Sequence, residues 1–154
     1  MQSIRSLGKY SLRQFELDDF PELVSMFKEL TREIYPNRKI GADYFFYRSV
    51  LGWVQADKHI IIALKGEDII GFSLCHIETS GITEPIYLGE CAYVKPEYRR
   101  SKAAYLLYKN GSDKASELGL TLFSNAFIGG LNHVDKIQEK FGMKPMFIGY
   151  ERSI

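Results

Sequence analysis

Four cationic side chains crowd the segment YVKPEYRRSKAAYLLYK, residues 93–109, where Lys95, Arg99, Arg100 and Lys102 lead into a run of helix formers. A helix N-terminus presents unpaired backbone N–H groups and a partial positive charge, so a strand feeding a helix through such a bend makes an anion cradle. Small Ala103 and Ala104 leave room at the first turn, and Arg99, Arg100 and Lys102 add charge that a diphosphate would feel. A solvated basic turn is the competing reading of the same residues.

The second chemical feature is a carboxylate. In IYLGECAYV, residues 86–94, alternation puts Ile86, Leu88, Glu90, Ala92 and Val94 on one face, so Glu90 is expected among apolar neighbours just ahead of the basic bend. Such burial disfavours the charged form and raises a carboxyl pKa toward the range useful to a general base. The alternative is a structural Glu paired with a cation or with His76 on a neighbouring strand.

These groups need a scaffold, and the periodicities supply one. Tyr10 to Phe15 alternates as a strand, and Asp18, Asp19 and Pro21 open a helix that carries Leu23, Phe27, Leu30 and Ile34 on one face. Residues 41–54 read as a second helix, with Phe46, Val50 and Trp53 at helical spacing beside Tyr44, Phe45 and Tyr47. His59 to Leu64, Ile69 to Ile77 and Ile86 to Val94 follow as a meander. A helix from about Ser101 to Leu118, with Ala104, Leu107, Gly111, Ala115 and Leu118 on its stripe, stops at Gly119 before a strand over residues 120–126. Asn132, Asp135 and Gly142 bound a last helix, ahead of a strand from about Lys144 to Tyr150. The predicted order is β-α-α-β-β-β-α-β-α-β, an α/β (α+β) fold with a mixed, mostly antiparallel sheet and helices on both faces.

Composition narrows the functions open to this scaffold. At 154 residues, with no repeat or low-complexity linker, a single domain over residues 1–154 is expected. Lys and Arg number 20 against 19 Asp and Glu, a net charge of +1 that argues against a nucleic-acid or acidic-membrane partner, although the basic bend leaves a local phosphate contact open. The N-terminus lacks an apolar core of signal-peptide length, and Ile60 to Leu64 is too short to span a membrane. Cys75 and Cys91 lie in apolar runs without metal or redox spacing, so buried thiols, no metal and a cytoplasmic setting are expected.

The ordered motifs Val94-Lys95-Pro96-Glu97-Tyr98-Arg99, ASELGL at 115–120 and EKFGMKP at 139–145 resemble those of the GNAT N-acetyltransferase superfamily. The resemblance implies acetyl-CoA as co-substrate and direct acetyl transfer to a primary amine of a small molecule or protein. It places the cofactor on Ala92, Val94, Arg99, Arg100, Ser101, Lys102, Ala103 and Ala104, with Asn125 on the pantetheine arm or substrate. The family usually has glycine where Lys102 stands; any residue can hold helical dihedrals there, so Lys102 is expected to point outward. Glu90 takes the position of the family's general base, and amides near Ala92 and Val94 would stabilise the oxyanion. The family's usual tyrosine acid aligns with Gln138, which cannot supply a proton, leaving Tyr150, Tyr108 or Tyr105 as substitutes, or departure of the thiolate unprotonated. Its usual helix-start Asn falls on Leu131, one residue before Asn132. Tyr44, Phe45, Tyr47 and Trp53 would wall the acceptor site, and a homodimer accords with the family's habit. The alternative within this fold is an acyl-CoA or anion-binding module without catalysis.

Overall fold

The computed structural model describes residues 3–124 and 140–143. Among them six strands form one sheet in chain order: β1 (Arg5–Leu7), β2 (Tyr10–Gln14), β3 (His59–Lys65), β4 (Asp68–Glu78), β5 (Ile86–Val94) and β6 (Thr121–Ser124). Neighbours are antiparallel except β5 and β6, which run parallel and are joined by a helical crossover. Helices α1 (Phe20–Ile34) and α2 (Asp43–Gln55) follow β2, and α3 (Ala103–Leu118) links β5 to β6. This is the expected mixed sheet with one addition, the short edge strand β1, which pairs with β2 around Gly8 at φ +61°. The expected last helix and last strand lie outside the described residues, apart from Lys140 to Met143 at the helix end, where Gly142 has φ +69°.

Helices cover both faces of the sheet. On one, Leu23, Val24, Met26 and Leu30 of α1 and Phe46 and Val50 of α2 pack on Ile60, Ile62, Leu64, Phe72, Leu74 and Tyr93. On the other, Ala103, Leu106 and Leu107 of α3 meet Leu12, Ile61, Ala63, Ile70 and Val94. The α3 stripe is rotated from the expected one: Ala103 and Leu106 are buried, whereas Ala104 is half-buried and Leu118 exposed. Gly119, at φ +66°, ends α3 as predicted.

One irregularity changes the reading of β5. Leu74 pairs with Cys91, but the next β4 residue, Cys75, pairs with Gly89, so Glu90 is an extra residue in a β-bulge. The alternation expected from Ile86 to Val94 is therefore broken. Tyr87 packs with Cys75 and with Ala115 of α3, whereas Cys91 and Tyr93, an even number of residues further on, pack in the α1–α2 cluster.

Candidate active site

Glu90 is held by polar groups from two neighbouring strand ends, so it does not sit in the purely apolar setting that alternation implied. Lys58 Nζ donates to Oε1 at 2.9 Å and to Oε2 at 2.7 Å. His76 Nδ1 lies 3.1 Å from Oε2, off the line of a hydrogen bond, while its Nε2 meets Glu78 at 2.7 Å. Pairing with a cation and with His76, the second of the two sequence readings, is thus the arrangement found. Lys58 is fixed by the wrap at the end of α2, where Asp57 takes φ +52° and the Lys58 amide donates to Trp53 O at 3.1 Å. Nothing in the local sequence around Lys58 pointed to this role; its partner lies in a distant strand.

The same neighbourhood excludes a cysteine nucleophile among the described residues. Burial, with the Glu90 charge beside it, pushes the Cys91 thiol up to about 12, and burial pushes Cys75 up to about 11. Neither forms a useful thiolate near neutrality. Both are unpaired, as the sequence suggested.

An open strand edge begins at the bulge. Pairing of β5 with β6 covers Ile86 to Gly89, and from Glu90 to Val94 no described strand occupies that edge. Ala92 is exposed although it pairs with buried Ser73 of central β4. Backbone groups that no described strand pairs, beside a small side chain, suit an extended, amide-bearing ligand that continues the hydrogen-bond ladder.

Past this edge the chain makes the basic bend. Lys95 N–H donates to Ile70 O at 2.8 Å, a 3-10 turn spans Pro96–Tyr98, and Ser101 N–H donates to Tyr98 O at 3.0 Å. Arg99 is engaged structurally: its Nε donates to Val94 O at 2.8 Å, its guanidinium pairs with Glu33 of α1, and it lies 5.4 Å from the Tyr93 ring centre. Lys95 pairs with Glu22 of α1 at 2.5 Å. Two of the four cations thus tie the bend to α1, while Arg100 and Lys102 are exposed.

Lys102 caps α3 at φ −75°, so its backbone imposes no need for glycine, and its exposed side chain agrees with the outward orientation expected. The first bond of the helix is donated by Leu106 N–H to Lys102 O at 3.0 Å. Amides from Lys102 to Tyr105 thus have no partner in the preceding helical turn; that of Ala103 is held by Ser101 Oγ at 3.2 Å. A row of amides with two exposed cations beside it fits a diphosphate.

The aromatic wall divides. Trp53 belongs to the core margin, 4.7 Å from Phe27 and 6.4 Å from Phe72 between ring centres, because its helical position shares the stripe of Phe46 and Val50. Tyr44, Phe45 and Tyr47 are exposed on α2, with Tyr47 stacked on Phe20 at 5.7 Å. Tyr108 is half-buried on α3, and Tyr105 stacks on Phe141 at 5.8 Å. Asn125, Leu131, Asn132, Gln138 and Tyr150 lie outside the described residues.

Among the described residues no helix is long and apolar enough to cross a membrane, and no cluster of metal-ligand side chains occurs. The model of the acetyltransferase (GNAT) family matches residues 13–132. No curated protein matches the chain by sequence. Solved structures share its fold. A predicted acetyltransferase of Clostridium acetobutylicum, crystallised with acetyl-CoA, superposes with a TM-score of 0.72 at 16% identity over 94% of this chain and 96% of its own. A ribosomal-protein-alanine N-acetyltransferase of Brucella melitensis biovar Abortus gives 0.71 at 18% over 94% and 99%. An aminoglycoside acetyltransferase from an uncultured soil metagenomic sample gives 0.69 at 14% over 96% and 97%.

Proposed function

Because the chain belongs to the GNAT acetyltransferase family, we propose that it moves the acetyl group of acetyl-CoA to a primary amine, with Glu90 as general base. The observation that carries this reading is the bulge at Glu90, which sets a carboxylate where the pairing of β5 with β6 ends among the described residues. The pantetheine arm pairs along Ala92 to Val94, and the diphosphate lies on the amides at the start of α3 with Arg100 and Lys102 alongside. Arg99 acts from behind, holding Val94 and α1 in place. Bound there, acetyl-CoA supplies the activated acyl carbon.

Glu90 accepts a proton from the acceptor ammonium, and the freed amine attacks the acyl carbonyl, whose oxygen is polarised by backbone N–H groups near Ala92. Lys58 occupies the carboxylate in the resting site, so it withdraws along its partly exposed stem as the acceptor ammonium arrives. Acceptors of the structural neighbours, an aminoglycoside and a ribosomal-protein alanine, share an amine, and exposed Tyr44, Phe45 and Tyr47 offer such a compound one wall. No metal enters this chemistry.

Titration calorimetry with acetyl-CoA, followed by CoA release over an alanine-initiated peptide, an aminoglycoside and a polyamine, tests the reading. Binding together with turnover that fails in Glu90→Gln is expected. Absence of acetyl-CoA binding at millimolar concentration overturns it, and binding without turnover in any of the three amines would indicate a binding module instead.

A further inference from the structure

The imidazole of His76 spans two carboxylates. Its Nε2 stands 2.7 Å from Glu78 Oε2, which can only accept when ionised, so in the neutral ring it is Nε2 that carries the hydrogen. Nδ1 then presents its lone pair 3.1 Å from Glu90 Oε2, buried and without a hydrogen-bond partner. An ionised carboxylate gains nothing from facing a lone pair, whereas a protonated one can donate to it. Side-chain exposure is 26% at Glu90, 19% at His76 and 46% at Glu78, so the chain of groups ends at its most exposed member.

Resting on Glu90 as the base, we propose that His76 is the exit for the proton that Glu90 takes from the acceptor, handing it on to Glu78 and water. Near neutrality, conversion of an ammonium to an amide removes two protons from nitrogen; one ends on the CoA thiol and the other must leave the protein. The Glu90 O–H passes its proton to His76 Nδ1, the imidazolium loses its Nε2 proton to Glu78 or water, and exchange with water, in which Nδ1 gives up a proton as the ring turns outward and Nε2 takes one up, restores the starting tautomer. Glu90 is thereby ionised again for the next ammonium. The charged and titratable groups around the ring are Glu90, Glu78, Lys58 on the far side of Glu90, and His59 on β3, which feels the His76 charge. Return of the Lys58 ammonium to Glu90 favours departure of the proton toward His76.

The test is steady-state CoA release by the full chain with the most active of the three amines. In His76→Gln, kcat is expected to fall about tenfold or more with acceptor KM little changed, and to recover in a concentration-dependent way when free imidazole is added. Glu78→Gln, altered at the exposed end, should lower kcat less and recover likewise with buffer. An unchanged kcat in a folded His76→Gln protein, or a loss that imidazole does not restore, overturns the relay. Should His76→Gln fail to fold, Glu78→Gln decides, and a kcat equal to wild type at every buffer concentration overturns it. Turnover that needs Glu90 but not His76 removes the relay alone; no turnover in any amine removes the base assignment with it.

Discussion

Glu90 concentrates the chemistry of this site, and its partners make its role measurable. Glu90→Gln keeps the shape and removes the base, so kcat is expected to fall by about 10²- to 10⁴-fold while acetyl-CoA affinity holds; calorimetry and CoA release on one preparation check both halves. Lys58→Met takes away the resting counter-ion. An acceptor ammonium then meets a carboxylate relieved of its Lys58 counter-ion, so acceptor KM should fall, and an unchanged KM would show that the two cations do not compete. At this scale the sequence was half legible. A glutamate ahead of the basic bend could be read directly, because residue type and local spacing mark it. Its pairing with Lys58, 32 positions away, depends on how β3 and β5 are brought together across β4, which local spacing does not encode.

Among the elements, β4 and β5 govern the geometry, and Gly71 shows how tightly. A Cβ there would stand 2.5 Å from Tyr93 O and 3.2 Å from Val94 Cα, both backbone atoms of the strand proposed to hold pantetheine. Gly71→Ala should therefore cost about 1–3 kcal/mol, read as a lower urea midpoint, and should weaken acetyl-CoA binding because the strand must shift. A midpoint equal to wild type would show that the sheet yields there without cost. Strands β3 to β5 and helices α1 and α2 were readable because their apolar runs are long and bounded by turn residues. The edge strand Arg5–Leu7 was not, being three residues long and exposed or half-exposed throughout. The bulge also escaped, since side-chain alternation reports the order of residues and not which of them lacks a partner across the ladder.

For the whole molecule, acid sensitivity should come from Asp19 at the start of α1 and from His59 at the start of β3. Arg13 and Asp19, 7% and 5% exposed, join β2 to the start of α1 through bonds of 2.5 and 2.7 Å, and Asp19 also accepts from the Glu16 amide at 2.8 Å. Burial alone would raise the Asp19 pKa, but the Arg13 guanidinium and the Glu16 amide outweigh it and hold the carboxyl below its usual value. A depressed folded pKa means the stabilisation is whole above the unfolded value of about 3.9 and is lost as pH falls through the folded one. His59 acts earlier: burial, then the Lys114 charge, lowers its pKa, and its Nδ1 sits 2.8 Å from Tyr87 Oη. Because the unfolded chain takes up that proton first, stability should decline as pH drops below about 6.5 and level off once the folded ring is also protonated. Urea midpoints across pH 7 to 3 should show both stages. His59→Gln should remove the upper one, and Asp19→Asn should cost about 3–5 kcal/mol at neutral pH while flattening the lower one.

The bulge also sets what the chain can tolerate in length. Upstream of Glu90, Tyr87 answers to α3; downstream, Cys91 and Tyr93 answer to α1 and α2. Replacing any of these residues alters one cluster, but deleting Glu90 would leave Tyr87 and Cys91 an odd number of places apart, so plain alternation would keep each half against its own helices and only the carboxylate would be lost. β5 is in effect two strands sharing a backbone, and the extra residue between them serves the site and neither helical layer.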